Sequence, residues 1–283
     1  KVLLGMSGGV DSSAAAFLLQ EQGYAVEGIT LRLRMDGTRS AGREHPEAHG
    51  ASGDIRDAAL VAETLGIPHS ILDLRAEFQN RVISNFVQEY ARGRTPNPCA
   101  VCNRFIKFGA MLEYAPSHGF DYIATGHYAN ITRQETEKGP GRWLLKSVPS
   151  QKDQSYMLYS LSQKQLSHTL LPLAGYTKEE IRSIAESAGL PVAKKPDSQE
   201  ICFVPDNDYI RFLEDYTGSK APEGDFVTKE GTILGRHKGI TRYTIGQRKG
   251  LGVAFGKPMY VTSILPEKNQ VVLGPEGSQY ADF

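Results

Sequence analysis

Cysteine and tryptophan are scarce in this sequence, and neither sign of charge is in excess. Its 283 residues include 3 Cys and 1 Trp, and 32 Lys and Arg balance 32 Asp and Glu. Three scattered cysteines do not suit a secreted disulfide scaffold, so the composition predicts a reducing, cytoplasmic setting. A net charge of zero argues against a uniformly basic nucleic-acid-binding protein but leaves room for local basic patches.

Long apolar runs and a signal-peptide pattern are lacking too. No run approaches the ~18 residues that a membrane-spanning helix needs, so we expect no membrane span. The chain begins at Lys1 rather than Met, from which we expect a chain trimmed at its amino end. Hydrophobic residues make up 40% and charged residues 23%, enough to fill and cover a core. The length predicts about two domains.

Apolar, strand-like runs alternate with helical patterns through the first half of the chain. Such alternation predicts an α/β fold, in which βαβ units form a doubly wound parallel sheet with helices on both faces. Ligands of these sheets bind at the carboxyl ends of the strands, near the switch point of the strand order. We expect strands at 1–6, 25–33, 70–74 and 122–124, and helices at 11–22, 54–65, 78–91 and 105–115.

The composition changes in the second half. From Asp225 onward, short β-rich runs are punctuated by Gly and Pro, which predicts a smaller β-barrel-like module, incomplete at its carboxyl end. Segment 34–53 is nearly free of large apolar residues, and we interpret it as a mobile loop whose His45 and His49 are solvated rather than a metal pair. We expect a catalytic domain at 1–203, a linker at 204–224 with a helix at 208–216, and a barrel at 225–283 with strands at 232–234, 241–244, 259–264 and 270–273.

Residues 6–13 read Met-Ser-Gly-Gly-Val-Asp-Ser-Ser and lie between the first predicted strand and the first predicted helix. Paired glycines let backbone N–H groups approach a phosphate, and the helix N-terminus adds partial positive charge. The serine hydroxyls can donate further hydrogen bonds. Asp11 would repel a bare anion, so we expect it to help hold a metal-bound pyrophosphate or to order the turn. The loop is not a Walker A motif, because the lysine is missing, and its glycine spacing differs from the dinucleotide fingerprint.

This loop resembles the PP-loop of ATP pyrophosphatases, which grips the pyrophosphate end of ATP. Five further motifs follow along the chain. Two of them read Thr-Pro-Asn-Pro-Cys-Ala-Val-Cys-Asn at 95–103 and Asp-Ser-Gln-Glu-Ile-Cys-Phe at 197–203. The other three lie at 124–128, 152–156 and 246–252. Together they resemble the bacterial tRNA-specific 2-thiouridylases, from Lys1 to about Leu273. The resemblance implies ATP with Mg²⁺, a tRNA partner, and adenylation of the wobble uridine followed by sulfur transfer.

The resemblance also implies roles for individual residues. Cys202 would carry a persulfide delivered by an upstream sulfur donor or relay protein, Cys102 would act as the nucleophile that attacks it, and Asp11 would be catalytic. The residues implied for ATP binding are Gly5, Met6, Ser7, Gly8, Gly9, Val10, Asp11, Ser12, Ser13, Leu31 and Gly126. The residues implied for tRNA binding are Asn97, Pro98, Cys99, Lys152, Asp153 and Gln154, to which a basic run adds Arg248 and Lys249.

Both cysteines need electropositive surroundings to react as thiolates. We expect Arg104 and Lys107 to supply them for Cys102, and Lys194 and Lys195 to supply them for Cys202. We also expect both cysteines to lie in polar loops.

Cys99 allows more than one interpretation, because it completes a Cys-x-x-Cys pair with Cys102. The pair could be redox-active, or with Cys202 it could hold a [4Fe-4S] cluster with one iron left open. Structural zinc would need a fourth ligand. His127 is either a general base or a residue that orients its loop.

Segment 231–266 contains no Asp or Glu, which predicts a basic surface that neutralises phosphates, the alternative being a solvated basic face. Its cations are Arg236, Lys238, Arg242, Arg248, Lys249 and Lys257.

Two other functions remain open. One is a PP-loop ligase or amidotransferase for a small molecule, and the other is a catalytically silent tRNA-binding relative. The intact loop and the cysteines at 102 and 202 favour the thiolation enzyme over both.

Overall fold

The structure, a computed structural model of the chain, describes residues 1–34, 51–135, 139, 141–149, 151–197, 201–204, 206–253 and 256–278. The backbone forms two compact units, each built from two stretches of chain. The first unit contains Lys1–Val82 and Cys99–Gln199, and the second contains Ile83–Pro98 and Glu200–Phe283. Among the described residues, no helix has the length and apolar character that crossing a bilayer requires.

The strands of the first unit are β1 (Val2–Gly5), β2 (Val26–Arg32), β3 (His69–Asp73), β4 (Tyr122–Ala124), β5 (Asn130–Gln134), β6 (Arg142–Lys146) and β7 (Thr169–Leu170). Five of them form one sheet in the order β3-β2-β1-β4-β7, and β5 pairs with β6 as a separate antiparallel hairpin. All neighbours in the five-stranded sheet run parallel, which confirms the predicted parallel sheet.

The strand order reverses at β1, because β2 and β3 lie on one side of it and β4 and β7 on the other. The chain segments that leave the carboxyl ends of β1 and β4 therefore start side by side. In doubly wound sheets this position forms the ligand-binding crevice. The Gly-rich loop follows β1, so the fold places it at the switch point.

The helices of the described chain are α1 (Val10–Glu21), α2 (Ala51–Leu65), α3 (Arg75–Phe78), α4 (Ser84–Ala91), α5 (Pro98–Cys102), α6 (Met111–Ser117), α7 (Gln163–Ser167), α8 (Lys178–Ser187) and α9 (Tyr209–Thr217). Two π-helical stretches, Gln79–Ile83 and Asn103–Ala110, join α3 to α4 and α5 to α6. Helix α2 begins at Ala51, so the expectation of a loop as far as residue 53 is wrong at its end. Residues 35–50 of that expected loop, with His45 and His49, lie outside the described residues.

Apolar side chains cover both faces of the parallel sheet. Successive strand residues point to opposite faces, and Leu3 and Leu4 of β1 accordingly belong to different core clusters. Leu4 packs with the alanines of α1 and with Ile181 of α8, whereas Leu3 packs with Phe108. This two-sided burial confirms the expectation of helices on both faces.

The second unit contains a four-stranded sheet made of β8 (Gly224–Val227), β9 (Ile233–His237), β10 (Tyr260–Leu265) and β11 (Gln270–Gly274), in the order β10-β11-β8-β9. Its core contains Phe226, Val261, Val271 and Leu273. Helix α9 begins at Tyr209, and Asp208 is its N-cap residue. The predicted strand at 241–244 is wrong, because a 3₁₀ turn occupies Ile240–Arg242.

Candidate active site

The turn after β1 is so tight that two glycines have no room for a side chain. Gly8 has a φ of +68°, and a Cβ there would lie 2.4 Å from the carbonyl oxygen of Asp54. Gly126 follows β4, and a Cβ there would lie 2.7 Å from the backbone nitrogen of Ser12. The segments after β1 and β4 therefore meet at the start of α1, where backbone approach is closest.

The serines of the loop hold its backbone. The Ser12 and Ser13 hydroxyls donate to the carbonyl oxygen of Gly9 at 3.2 and 2.8 Å, and the Ser7 amide donates to Ser12 Oγ at 3.2 Å. Gly9 is the N-cap residue of α1 and has no side chain to cap the helix, which leaves amides of the first turn for an anion. The expected phosphate contacts of the serines stay a prediction.

Lys195 braces the same turn from outside it. Its Nζ donates to the Gly8 carbonyl at 3.0 Å, to Asp54 Oδ1 at 3.1 Å and to Asp57 Oδ2 at 2.7 Å. Burial alone would lower the pKa of Lys195, but the hydrogen bonds to Asp57 and Asp54 outweigh it and raise this pKa. The ammonium group of Lys195 is therefore engaged by the loop and by α2, and its expected service to Cys202 stays a prediction.

Asp11 sits in the first turn of α1 and accepts two hydrogen bonds on one oxygen. Tyr128 Oη donates to Asp11 Oδ1 at 2.8 Å, and Lys178 Nζ donates to the same atom at 2.6 Å. Burial and the charge of Asp11 raise the pKa of Tyr128, so this phenol stays protonated. Lys178 Nζ also lies 2.7 Å from Asp197 Oδ1. Neither Tyr128 nor Lys178 was predicted from the sequence to bind Asp11.

A second hydrogen-bonded chain supports the loop from β2 and β3. Thr30 Oγ1 donates to the carbonyl oxygen of Met6 at 3.0 Å and lies 2.8 Å from His69 Nε2. Since the Thr30 proton goes to a carbonyl, His69 must donate through Nε2. Burial lowers the pKa of His69, which favours the neutral ring in the tautomer that carries its proton on Nε2.

The remaining residues implied for ATP binding lie around this turn. Gly5 ends β1, where a Cβ would lie 3.3 Å from Met111 Sδ. Val10 is buried at the start of α1, and Leu31 of β2 is half-buried against the core. The structure thus brings the loop and Gly126 together, and places Leu31 on the strand next to β1.

Cys102 lies on a helix. Pro98 begins α5, a position proline favours, and Cys102 ends α5 just before the π-helical stretch that contains Arg104 and Lys107. Its side chain is buried, whereas Cys99 is exposed. The expectation of a polar loop is therefore wrong for Cys102. π-Helical turns are frequent at functional sites, and no sequence pattern singled this one out.

Cys202 is exposed on a turn of the second unit and is followed by an anchored phenylalanine. The Phe203 ring lies 5.2 Å from Phe86 and 5.2 Å from Phe212 between ring centroids. Aromatic pairs at such distances add stability beyond burial. The backbone beside Cys202 is thus fixed, and Cys202 itself is an exposed residue.

The Lys152-Asp153-Gln154 stretch is held by internal contacts. Lys152 Nζ donates to Asp197 Oδ2 at 3.0 Å, and Asp153 accepts from the Val148 amide at 2.9 Å. Gln154 Oε1 accepts from the Tyr128 amide at 3.0 Å. Tyr156 and Tyr159, just beyond the stretch, are 58% and 77% exposed.

His127 is buried beside Thr125, whose Oγ1 lies 2.7 Å from His127 Nδ1. Burial, assisted by the charge of Lys107, holds the pKa of His127 well below its ordinary value. The ring is therefore neutral near pH 7. Both interpretations of His127 remain predictions.

The basic run of the second unit is partly neutralised. Arg236 pairs with Asp225 and Arg242 pairs with Glu214, each at 3.0 Å. Arg248 and Lys249 are exposed on a turn that Gln247 fixes by accepting from the Thr244 amide. Carboxylates outside the run thus offset two of its six cations.

The structure describes all three cysteines, and they form no disulfide. Within the described part of the chain, no three His, Cys, Asp or Glu side chains are grouped in a way that could hold a metal ion.

Comparisons with known proteins cover almost the whole chain. Residues 1–206 match the family model described as the tRNA methyl transferase HUP domain, and residues 210–275 match the tRNA methyl transferase PRC-barrel domain. The second match agrees with the β-barrel-like module expected from the sequence. Among solved structures, NMN synthetase from Francisella tularensis is 16% identical with a TM-score of 0.40 over 78% of each chain, too weak a similarity to bear on function.

Curated relatives are much more similar. The tRNA-specific 2-thiouridylase MnmA of Lachnoclostridium phytofermentans is 52% identical over all of this chain and 78% of its own length. The protein of the same name from Acetivibrio thermocellus is 52% identical over 99% of this chain and 77% of its own, and that from Clostridioides difficile is 50% identical over 97% and 74%. On identity and coverage, the chain belongs to the tRNA-specific 2-thiouridylase family.

Proposed function

We propose that this protein converts the wobble uridine of tRNA to 2-thiouridine, with consumption of ATP. The proposal rests on the identity to the curated 2-thiouridylases, which share about half of the residues over the whole of this chain. The glycine-rich turn at the switch point of the parallel sheet agrees with it. The tight turn at Gly8, the uncapped first turn of α1 and the brace from Lys195 fit a polyphosphate chain. The reaction takes place in the cytoplasm.

In the first step, the C2 carbonyl oxygen of the uridine attacks the α-phosphate of ATP. Pyrophosphate leaves, and C2 then carries an adenylate. The amides of the α1 first turn would bind the departing pyrophosphate, and Mg²⁺ would neutralise part of its charge. The target base must leave its stack to expose C2, and Asn97, Pro98 and Cys99 are the residues proposed to surround it.

In the second step, sulfur replaces AMP at C2. The upstream donor leaves a persulfide on Cys202, and the Cys102 thiolate attacks the inner sulfur atom of that persulfide. This forms a Cys102–Cys202 disulfide and releases hydrosulfide, which adds to C2 and expels AMP. A thiol reductant resets the disulfide. Exposure of Cys202 supports its role as the acceptor from a donor or relay protein.

The test is incubation of the protein with tRNA, ATP, Mg²⁺ and a persulfide donor, followed by mass spectrometry for 2-thiouridine. We expect one AMP and one pyrophosphate for each thiolated uridine. Pyrophosphate release on a small acid or amide, with no thiolation of any tRNA, would favour the small-molecule ligase instead. Binding of tRNA without pyrophosphate release would favour the silent relative.

An iron–sulfur route is the alternative use of Cys99, Cys102 and Cys202. Anaerobic purification with iron and sulfide analysis separates the two routes, together with a Cys99→Ala variant. The persulfide route predicts thiolation without bound iron, and thiolation by Cys99→Ala that is reduced at most through weaker tRNA binding. Stoichiometric iron, lost together with activity in Cys99→Ala, would establish the cluster.

A further inference from the structure

Lys178 is a buried cation with no role in the steps above. It is the first residue of α8, and only 8% of its side chain is exposed. Its Nζ lies 2.6 Å from Asp11 Oδ1 and 2.7 Å from Asp197 Oδ1. Burial of an ammonium group is strongly unfavourable unless carboxylates compensate for the lost water.

The local structure of α8 does not account for this cation. Thr177 caps the helix, and its hydroxyl accepts from the Glu180 amide while Glu180 Oε2 accepts from the Thr177 amide. This capping box fixes where α8 begins and so places Lys178 in the first turn. A positive charge there opposes the helix dipole. The two carboxylates, and not the helix, therefore stabilise the ammonium group.

The two carboxylates differ in how much they need Lys178. Asp197 has two further cations, because Arg182 lies 2.9 Å from Oδ1 and Lys152 lies 3.0 Å from Oδ2. Burial would raise the pKa of Asp197, but Lys178 and Lys152 keep it below its usual value. Asp11 pairs with no cation other than Lys178 among the described residues, and its other donor is the neutral Tyr128 phenol.

Asp11 lies in the turn of helix that would meet the phosphates of ATP. An uncompensated carboxylate there would repel a polyphosphate through a medium that screens charge less than bulk water. Both donors to Asp11 also use Oδ1, which fixes the plane of the carboxylate.

We propose that Lys178 is a positioning residue for ATP: it cancels the charge of Asp11 and fixes the orientation of that carboxylate, so that the loop accepts a polyphosphate. This inference rests on the proposed function, since it assumes that ATP binds at the loop. The loop sequence has no lysine of its own. Lys178 supplies a cation near the phosphate turn from a helix that is distant in sequence.

The test measures binding of ATP with Mg²⁺, by calorimetry, to the full chain and to four variants. Lys178→Gln keeps a hydrogen-bond donor but removes the charge, and we expect at least about tenfold weaker binding. Lys178→Arg keeps the charge and should bind within about threefold of the unchanged protein. Lys164→Met, at an exposed site on α7, is the matched control and should bind normally.

The fourth variant combines Lys178→Gln with Asp11→Asn. It removes both charges and leaves no unpaired carboxylate, so we expect it to fold and to bind ATP more tightly than Lys178→Gln does. Recovery in the double variant, like rescue by Lys178→Arg, would follow the balance of charge at Asp11 and not the identity of the side chain at position 178. The proposal is overturned if Lys178→Gln binds ATP as tightly as Lys178→Arg, or if the double variant binds no better than Lys178→Gln. Failure of the unchanged protein to bind ATP would instead refute the proposed function.

Discussion

Lys195 Nζ lies 3.0 Å from the carbonyl oxygen of Gly8, so a residue late in the first unit holds the turn that follows its first strand. Lys195→Met removes this bond and those to Asp54 and Asp57. Hydrogen bonds to charged groups contribute roughly 2 kcal/mol each. Without the ammonium group between them, the negative charges of Asp54 and Asp57 would also repel each other. We expect lower stability in urea and a higher KM for ATP in pyrophosphate release.

The neighbouring Lys194 provides the control for this change. It is exposed, so Lys194→Met should alter neither the urea midpoint nor the KM for ATP. Equal effects of the two substitutions would show that the hydrogen bond from Lys195 to the Gly8 carbonyl contributes nothing to stability or to the KM for ATP.

Gly126→Ala tests the contact between the segments that follow β1 and β4. The added methyl would lie 2.7 Å from Ser12 N and 2.8 Å from the Asp11 carbonyl carbon, and backbone atoms cannot rotate away. We expect α1 to be displaced and the rate of pyrophosphate release to fall at least tenfold. A tenfold fall corresponds to a loss of about 1.4 kcal/mol of transition-state stabilisation. Gly175→Ala, at an exposed site with no atom near the new methyl, should retain full activity.

Cysteine substitutions should separate the two chemical steps. Cys202→Ser removes the persulfide carrier, so we expect no 2-thiouridine while tRNA-dependent pyrophosphate release continues. Cys102→Ser should behave in the same way and should let a persulfide accumulate on Cys202. Mass spectrometry of the protein and a pyrophosphate assay report the two steps. If Cys202→Ser also stops adenylation, the role assigned to Cys202 is wrong.

Stability should fall on mild acidification because buried histidines resist protonation. The pKa values of His69, His127 and His237 are lowered, in each case chiefly by burial. As the pH falls through about 6.5, these histidines take up protons in the unfolded chain before they do so in the folded protein. The free energy of unfolding is therefore larger above that pH and decreases below it. The fully buried His127 contributes the largest share of this loss, up to roughly 1.4 kcal/mol between pH 7.5 and 5.5.

His127→Gln, which keeps polar atoms beside Thr125, isolates this effect. Urea unfolding of the variant at pH 7.5 and 5.5 should show a smaller loss of stability than the unchanged protein. His118→Gln, at an exposed position, should leave the difference between the two pH values as it was. An unchanged pH dependence in His127→Gln would show that burial of His127 does not cause the loss of stability at low pH.

The exposed tyrosines beyond the Lys152-Asp153-Gln154 stretch should contribute to tRNA binding. Aromatic stacking on an unpaired base contributes about 1–3 kcal/mol, so replacing Tyr156 and Tyr159 by Leu should weaken binding at least tenfold. Stacking does not release counterions, so the salt dependence of binding should keep its slope. Tyr122→Leu, at the amino end of β4 and away from the switch point, is the control. Unchanged affinity in the double variant would exclude this surface.

The sequence located the glycine-rich turn between β1 and α1 well because the determinants of that turn are local. Two glycines and a helix start lie within a few residues, and the alternating pattern predicts the parallel sheet that places this turn at a switch point. The helical setting of Cys102 was missed although Pro98 favours the first position of a helix. Helix α8 was missed although Thr177 and Glu180 form a capping-box pattern.

Other features of the site depend on tertiary contacts that no local pattern encodes. Tyr128 and Lys178 reach Asp11 from far along the chain, and Lys195 reaches Gly8 across most of the first unit. The predicted strand at 241–244 failed for a similar reason, because Ile240–Arg242 form a 3₁₀ turn and Tyr243, directly after it, packs in the core of the second unit.

The aromatic cluster around Phe203 joins the two stretches of chain that make up the second unit. Phe86 on α4 contacts Phe203, which follows Cys202 directly, and the chain runs from α4 to Cys102 in about a dozen residues. Phe86 and Phe203 are far apart in sequence, so their contact closes a long loop of chain that includes Cys102. Loop-closure entropy rises with loop length, and the aromatic contacts around Phe203 offset that cost within the second unit.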